Sequence, residues 1–292
     1  MKIAVYGRLL KEKDVVFIQK LFDRLMGRGF AITVHEEFYS QLAGKIKLSL
    51  PPPTFQNSDD IAGHVDYMFS LGGDGTLLDT VPIVKNSNIP ILGINFGRLG
   101  FLSSIGTEEL NKALDAIENG TFLVDTRTLV HLDADIPLFN GVNYALNECT
   151  IHKKDTSTLM VIHTYINGEF LNSYWADGLI VATPTGSTGY SLSCGGPIIF
   201  PGSGNFVITP VAPHNLNVRP IVVPDNAIIS FDIEGRADSY FVTLDSRTES
   251  IDDKVRLAVR KEDFDVKLIR LSETNFLTTL RNKLMLGVDK RN

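Results

Sequence analysis

The chain has 292 residues, 43% hydrophobic and 21% charged, so it can bury a large core, and its length suggests about two domains. Its formal net charge of -6 argues against a broad nucleic-acid surface, which needs clustered Lys and Arg to displace counterions from phosphate. Only two cysteines occur, Cys149 and Cys194, and they form no C-x-x-C pair, so neither a disulfide framework nor a Cys-based metal site is expected. That usage fits a reducing cytoplasm. The opening "MKIAVYGRLL" is too brief an apolar run for a signal peptide or a membrane span, so no membrane partner is expected.

In chain order, "KIAVYG" reads as a buried strand and "DVVFIQKLFDRLMGRG" as a helix with a Gly stop. "AITVHE" returns to strand character, "SLPPPTF" is a loop, "VDYMFSLGG" is a strand, "TLLDTVPIVK" is helix-like despite Pro82, and "IPILGINFG" is a strand. This alternation predicts a parallel, helix-covered, Rossmann-like sheet. "TEELNKALDAIENG" has an acidic first turn and ends on Gly120, the marks of a helix.

After Gly120, runs rich in Val, Ile, Phe and Thr follow one another with turn signals, which predicts an all-β, sandwich-like second domain. In "LMVIHTYINGEFLNSYW", Asn167-Gly168 between two strand-like runs is a hairpin signal. "DGLIVAT", "FVITPVA", "AIISFDIEG", "SYFVTLDS", "KVRLAVRK" and "FDVKLIRL" read as further strands, and "TNFLTTLRNKLML" as a last amphipathic helix. The expected division is 1–121 joined by a returning helix at 274–292, and 122–273 as the β-rich, ligand-binding part.

Two stretches carry chemistry. In "FSLGGDGTLLDT", Gly72, Gly73 and Gly75 fall where a strand hands over to a helix. In a parallel sheet that is a phosphate-binding location, because backbone without side chains can approach closely and free N–H groups favour an anion. Asp74 would be repelled by phosphate there unless it binds Mg²⁺ or accepts a proton from an attacking hydroxyl. Its other reading is a helix cap or an Asx-turn. No G-x-x-x-x-G-K-[ST], no G-x-G-x-x-G after the first strand, no G-x-S-x-G and no H-E-x-x-H is present.

The second stretch is "DGLIVATPTGSTGYSLSCGGPI", residues 177–198, where a strand runs into Pro184 and a Thr/Ser/Gly cluster. The hydroxyls of Thr185, Ser187, Thr188, Ser191 and Ser193, with nearby N–H groups, suit a polar ligand such as a nucleotide. The alternative is a glycine-rich crossover with capping hydroxyls.

"GGDGTLL", "GINFGRLGFL", "ALNECTIH", "DGLIVATPTGSTGYSLSCGGPI" and "APHNLNVRPIV", in this order and spacing, resemble the NAD kinase family across nearly the whole chain. The resemblance implies transfer of the γ-phosphate of ATP, or in some members of inorganic polyphosphate, to the 2′-hydroxyl of the adenosine ribose of NAD. Asp74 matches the family's base, while Gly72, Gly73, Gly75 and Thr76 match the loop against the nucleotide phosphates. Phe101 matches an aromatic residue beside NAD, Asn147 and Glu148 the pair that holds adenine and ribose groups, and Asp177 a residue near the nicotinamide end. Thr185, Thr188, Gly189, Tyr190 and Ser193 match the ligand-contacting segment, in which Ala is usual at the position of Gly189. Ala212 matches a backbone contact, and His214 beside it is a weak candidate.

"LDSRTES" stands where many bacterial members of the family carry D-G-Q, with Arg247 in place of the glutamine, so that Arg247 is either a phosphate partner or a solvated turn residue. Mg²⁺ is expected on the ATP phosphates, with no protein ligands named by the sequence. The family forms homodimers or homotetramers with a shared site, so Asp177 and Ala212 are expected to serve an adjoining copy. Two other classes stay open: a non-catalytic NAD(P) sensor, and a lipid or sugar-phosphate kinase that shares the G-G-D-G loop.

Overall fold

A computed structural model of the chain describes residues 1–8, 11–97, 99–154, 159–237, 239–271 and 275–285. The chain falls into two compact units, Met1–Thr126 with Val266–Asn292, and Arg127–Asp265.

The first unit runs β1 (Lys2–Gly7), α1 (Glu12–Gly27), β2 (Ala31–His35), α2 (Glu36–Leu42), β3 (Thr54–Phe55), α3 (Ser58–Ile61), β4 (Tyr67–Leu71), α4 (Asp74–Val84), β5 (Ile91–Asn95), β6 (Ile105–Gly106), α5 (Leu110–Asn119) and β7 (Phe122–Arg127). β1 pairs in parallel with β2 and β4, and β4 with β5. Strands covered on both faces need continuous apolar runs. Ile3, Val5, Met68, Phe69, Ile91 and Leu92 meet that need and are fully buried. On α1, Ile18, Leu21, Phe22 and Leu25 recur at helical spacing and form its buried stripe. α5 ends at Gly120, whose φ of 66° is the left-handed cap that glycine favours. The helix α4 continues through Pro82 as the sequence reading expects.

The second unit carries β8 (Val130–Ala134), β9 (Tyr144–Ala145), β10 (Glu148–Lys153), β11 (Met160–Ile166), β12 (Glu169–Trp175), β13 (Gly178–Ala182), α6 (Tyr190–Ser193), β14 (Asn205–Val211), β15 (Ile221–Pro224), β16 (Ile229–Gly235), β17 (Tyr240–Leu244), β18 (Arg247–Ile251) and β19 (Leu257–Lys261). They form two six-stranded antiparallel sheets, in the orders β15-β14-β13-β10-β17-β18 and β12-β11-β16-β19-β8-β9. Ile162, Phe231 and Val259 of one sheet share a core with Val181, Ile208 and Val242 of the other, which is a sandwich. The expected hairpin forms between β11 and β12, with Asn167 at φ 51° and Gly168 at φ 82°, the values a type I′ turn requires.

The fold class is thus the expected one, with differences in detail. The short helices α2 and α3 were not expected, because neither is long enough to show a helical apolar period. The run 266–271, read with the β-rich segment, is a strand, β20 (Val266–Leu271), but pairs in parallel with β5 of the first unit. A short apolar run shows strand character without naming its sheet. The last helix, α7 (Phe276–Leu284), starts on Asn275, whose side chain accepts from the Thr278 N–H at 2.8 Å. Residues 274 and 286–292 of the expected terminal helix lie outside the described residues.

Candidate active site

The carboxyl ends of β1, β4 and β5 open onto one cleft of about 230 Å³, lined by Arg8, Lys11, Lys13 and Asp14 after β1, Gly72, Gly73 and Thr76 after β4, and Asn95 to Gly97 at the end of β5. Parallel strands put such a cleft at their carboxyl ends because each chain then turns into a helix there. Gly72 has φ 153°, and a Cβ on it would lie 2.3 Å from Thr76 Oγ1, so the turn itself demands glycine. Around Gly75 there is nothing within 4 Å of a would-be Cβ. The fold therefore does not require a bare backbone at Gly75, whereas close approach by a ligand would. In the first turn of α4 the Thr76 N–H donates to the Gly73 carbonyl at 3.0 Å, and the positive end of the helix dipole lies at this turn.

Asp74 is the first residue of α4, and its carboxylate faces the chain that follows β5. Oδ1 accepts from the N–H groups of Leu102 at 3.1 Å and Ser103 at 2.9 Å, and Oδ2 accepts from Phe101 N–H at 2.8 Å. Both acceptor positions of Oδ1 are thereby filled, and one on Oδ2 remains open. Gly100 lies against the same group, where a Cβ would come within 1.7 Å of Oδ1. Phe101 is joined to Asp74 by its backbone, and its ring is half-buried.

The second unit assembles most of the remaining candidates around the Asn147–Glu148 corner. Asn147 Nδ2 and Glu148 Oε2 both flank Gly189, at 3.7 and 3.4 Å from the position of an added Cβ. Glycine here leaves both polar groups one methyl less covered than an alanine would. Gly186 approaches Asn147 so closely that a Cβ would sit 2.1 Å from its carbonyl oxygen. Tyr190 is 39% exposed and stacks on His152 with ring centroids 5.6 Å apart. Burial pushes the Glu148 carboxyl up to about 8, and the neighbouring Asp245 charge adds to the rise. Glu148 Oε2 has no hydrogen-bond partner although it is buried, a state that a ligand hydroxyl or amine would relieve.

Other candidate side chains hold the loop itself. Thr185 Oγ1 accepts from Arg127 Nη1 at 3.1 Å, Thr188 Oγ1 donates to the Thr185 carbonyl at 3.1 Å, and Ser191 Oγ bonds Thr209 Oγ1 at 2.8 Å. Ser193 is exposed. Asp177 pairs with Lys153 Nζ at 2.6 Å and donates its N–H to the Val211 carbonyl at 2.9 Å, next to Ala212. Ala212 is exposed with φ 45°, an unusual conformation for a residue with a Cβ. His214 is exposed and donates its backbone N–H to the Trp175 carbonyl at 2.8 Å. Arg247 stands apart from this set: its guanidinium donates to the carbonyls of Val142 and Tyr144 and lies over the Phe139 ring.

Sequence reasoning missed Arg8, Lys11 and Lys13, because scattered cations after a first strand have no spacing signature. Arg8 pairs with Asp79 at 3.2 Å. Among the described residues no carboxylate lies within ion-pair distance of Lys11 or Lys13. In a chain of net charge -6, two unpaired cations at a phosphate-sized cleft are a specific feature. Among the described residues no group of His, Cys, Asp and Glu could hold a metal ion, and no helix is long and apolar enough to cross a membrane.

Comparison with known proteins gives concordant matches. Residues 4–122 match the family model for the ATP-NAD kinase N-terminal domain, and residues 146–271 that for the ATP-NAD kinase C-terminal domain. The chain is 47% identical to the NAD kinase of Cytophaga hutchinsonii and 44% identical to that of Flavobacterium psychrophilum, each over 100% of both chains. In fold it is similar to yeast NADH kinase complexed with NADH, with TM-score 0.87 at 22% identity over 99% of this chain and 88% of that one. An NAD kinase from Archaeoglobus fulgidus in complex with ATP has TM-score 0.73 at 24% identity, over 98% and 99% of the two chains.

Two stability measurements follow from this geometry. Gly100→Ala drives a methyl into the Asp74 carboxylate and is expected to cost about 1–3 kcal/mol in thermal melts; an unchanged Tm would contradict the close approach. Glu148 binds its proton more tightly in the folded than in the unfolded chain, so its contribution to stability is complete at low pH and is lost as pH rises from about 4.5 to about 8. Glu148→Gln removes that loss, so the Tm of the variant minus that of wild type should grow across this window; a constant difference would show that Glu148 ionises normally.

Proposed function

The chain belongs to the NAD kinase family and is a phosphotransferase that converts NAD to NADP, and we propose that Asp74 is the base of that transfer, with ATP as donor. Full-length identity to NAD kinases does not favour a sensor or a lipid or sugar-phosphate kinase. The observation that carries the assignment is the fixed carboxylate of Asp74, whose remaining acceptor position on Oδ2 is available to a hydroxyl. In the step, the 2′-oxygen of the adenosine ribose forms a bond to the γ-phosphorus. The bond from that phosphorus to the β-bridging oxygen breaks, ADP leaves, and the hydroxyl proton passes to Asp74. A positioned acceptor of this kind is worth about 10²- to 10⁴-fold.

The donor phosphates are assigned to the cleft at Gly72, Gly73 and Thr76, where the α4 N-terminus and the cations Lys11 and Lys13 oppose their charge. Mg²⁺ carried on the triphosphate would supply partial neutralisation of its charge, beside Lys11 and Lys13. NAD is assigned to Phe101, Asn147, Glu148, Gly189 and Tyr190, with Thr185, Thr188, Ser191 and Ser193 shaping the loop. A protonated Glu148 offers a ribose both a donor and an acceptor. We also read the protein as a cytoplasmic homo-oligomer in which Asp177 and Ala212 serve an adjoining copy. Phe170 and Trp175, 57% and 50% exposed on the edge strand β12, are apolar surface that such an assembly would cover.

Asp74→Asn is expected to lower kcat about 10²-fold or more while NAD still binds; turnover near that of wild type would remove Asp74 as base. Replacing Lys11 and Lys13 together by Ala should raise KM for ATP about tenfold and leave KM for NAD in place. An equal change in both constants would place those cations elsewhere in the mechanism.

A further inference from the structure

The turn between β17 and β18 has no part in the roles assigned above, yet it holds the Asn147–Glu148 corner. Asp245 Oδ2 accepts from the N–H of Leu146 at 2.8 Å, and Oδ1 accepts from the N–H groups of Asn147 at 2.8 Å and Glu148 at 3.3 Å. Its own N–H donates to the Glu148 carbonyl at 3.1 Å. From the other side, Thr183 donates its N–H to the Asn147 carbonyl at 2.8 Å and its hydroxyl to the Leu146 carbonyl at 2.6 Å. Arg247 secures the preceding residues through the carbonyls of Val142 and Tyr144.

Successive N–H groups converging on one carboxylate leave the backbone of 146–148 little choice of conformation, and the backbone sets the direction in which side chains depart. We infer that Asp245, backed by Arg247, is a positioning residue that presents Asn147 and Glu148 to NAD without touching it. This rests on the reading that Asn147 and Glu148 contact the dinucleotide. Asp245 sits at φ 53°, a conformation a residue with a Cβ adopts at a cost and keeps where its surroundings enforce it.

The same carboxylate acts on Glu148 through charge. Burial raises the Asp245 carboxyl above the usual carboxylate range, while its three N–H bonds and Arg247 act against that rise. The titratable groups that act on Glu148 or feel its charge are Asp245 from the β17–β18 turn, Cys149 beside it in β10, and Tyr190 and Cys194 from α6 and its end. None of these is a cation. Removing the Asp245 charge therefore lowers the pH at which Glu148 ionises.

The test is steady-state kinetics of the full-length enzyme from pH 6 to 9.5 for wild type, Asp245→Asn, Arg247→Gln, Asn147→Ala and Glu148→Gln. For Asp245→Asn the expectation is a KM for NAD raised about tenfold, with KM for ATP held within about twofold. In kcat/KM for NAD, the transition that Glu148→Gln abolishes should move to lower pH. Equal changes in both KM values with that transition unmoved would reduce Asp245 to general fold support and overturn the inference. Arg247→Gln covers the case of a misfolded first variant: a rise in KM for NAD alone supports the turn as a positioning device, and no rise overturns it. Should Asn147→Ala and Glu148→Gln leave KM for NAD unchanged, the assignment of those two residues fails. Should they raise it while Asp245→Asn does not, only the positioning role fails.

Discussion

The first unit depends on a carboxylate solvated by backbone rather than by water. Asp74 stands at the start of α4, where the helix dipole favours a negative charge, and takes N–H groups from three consecutive residues after β5. Those N–H groups belong to a loop that would otherwise need water or a ligand to satisfy them. One side chain thus ties the turn after β4 to the turn after β5, and the phosphate-sized cleft lies along that junction. The tie is possible because Gly100 brings backbone where any Cβ would collide with the carboxylate. It also leaves one acceptor position on Oδ2 open, and the same three bonds fix the orientation of the carboxylate.

The second unit repeats the device on an unrelated scaffold. Asp245 gathers the N–H groups of 146–148 at the end of an antiparallel sheet much as Asp74 gathers those of 101–103 at the end of a parallel one. In both cases an irregular segment that carries candidate ligand contacts is fixed by charge-assisted bonds to its main chain, which leaves its side chains uncommitted. Irregular backbone without such a partner would exchange among conformers, and each conformer lost on binding would cost affinity.

What the sequence made legible follows from which signals are local. Gly72 before Asp74, the Asn167-Gly168 turn and the Gly120 stop each report a backbone requirement within a few residues, and each stands where the sequence places it. The family motifs located the Asn147–Glu148 corner and the loop after β13. Long-range partners were not legible. Nothing in "LDSRTES" says that its aspartate reaches back about a hundred positions, and nothing after "KIAVYG" says that Lys11 and Lys13 will face a glycine turn sixty residues on. Strand character of 266–271 was local and was read, whereas its sheet was decided by tertiary pairing and was not. Arg247 shows the same limit: the sequence offered a phosphate or solvent, and the guanidinium went to two main-chain carbonyls.

The unusual member of the second unit is Glu148, a buried acid with an orphaned oxygen and an anionic neighbour. A permanently charged carboxylate there would bear the full cost of burial beside Asp245, and no cation is among the causes that act on it. Burial resolves the conflict by holding the proton near neutral pH, which turns a repelling charge into a neutral donor and acceptor. A buried oxygen without a partner costs stability, and on the proposal that Glu148 contacts the dinucleotide a ligand hydroxyl would offset that cost.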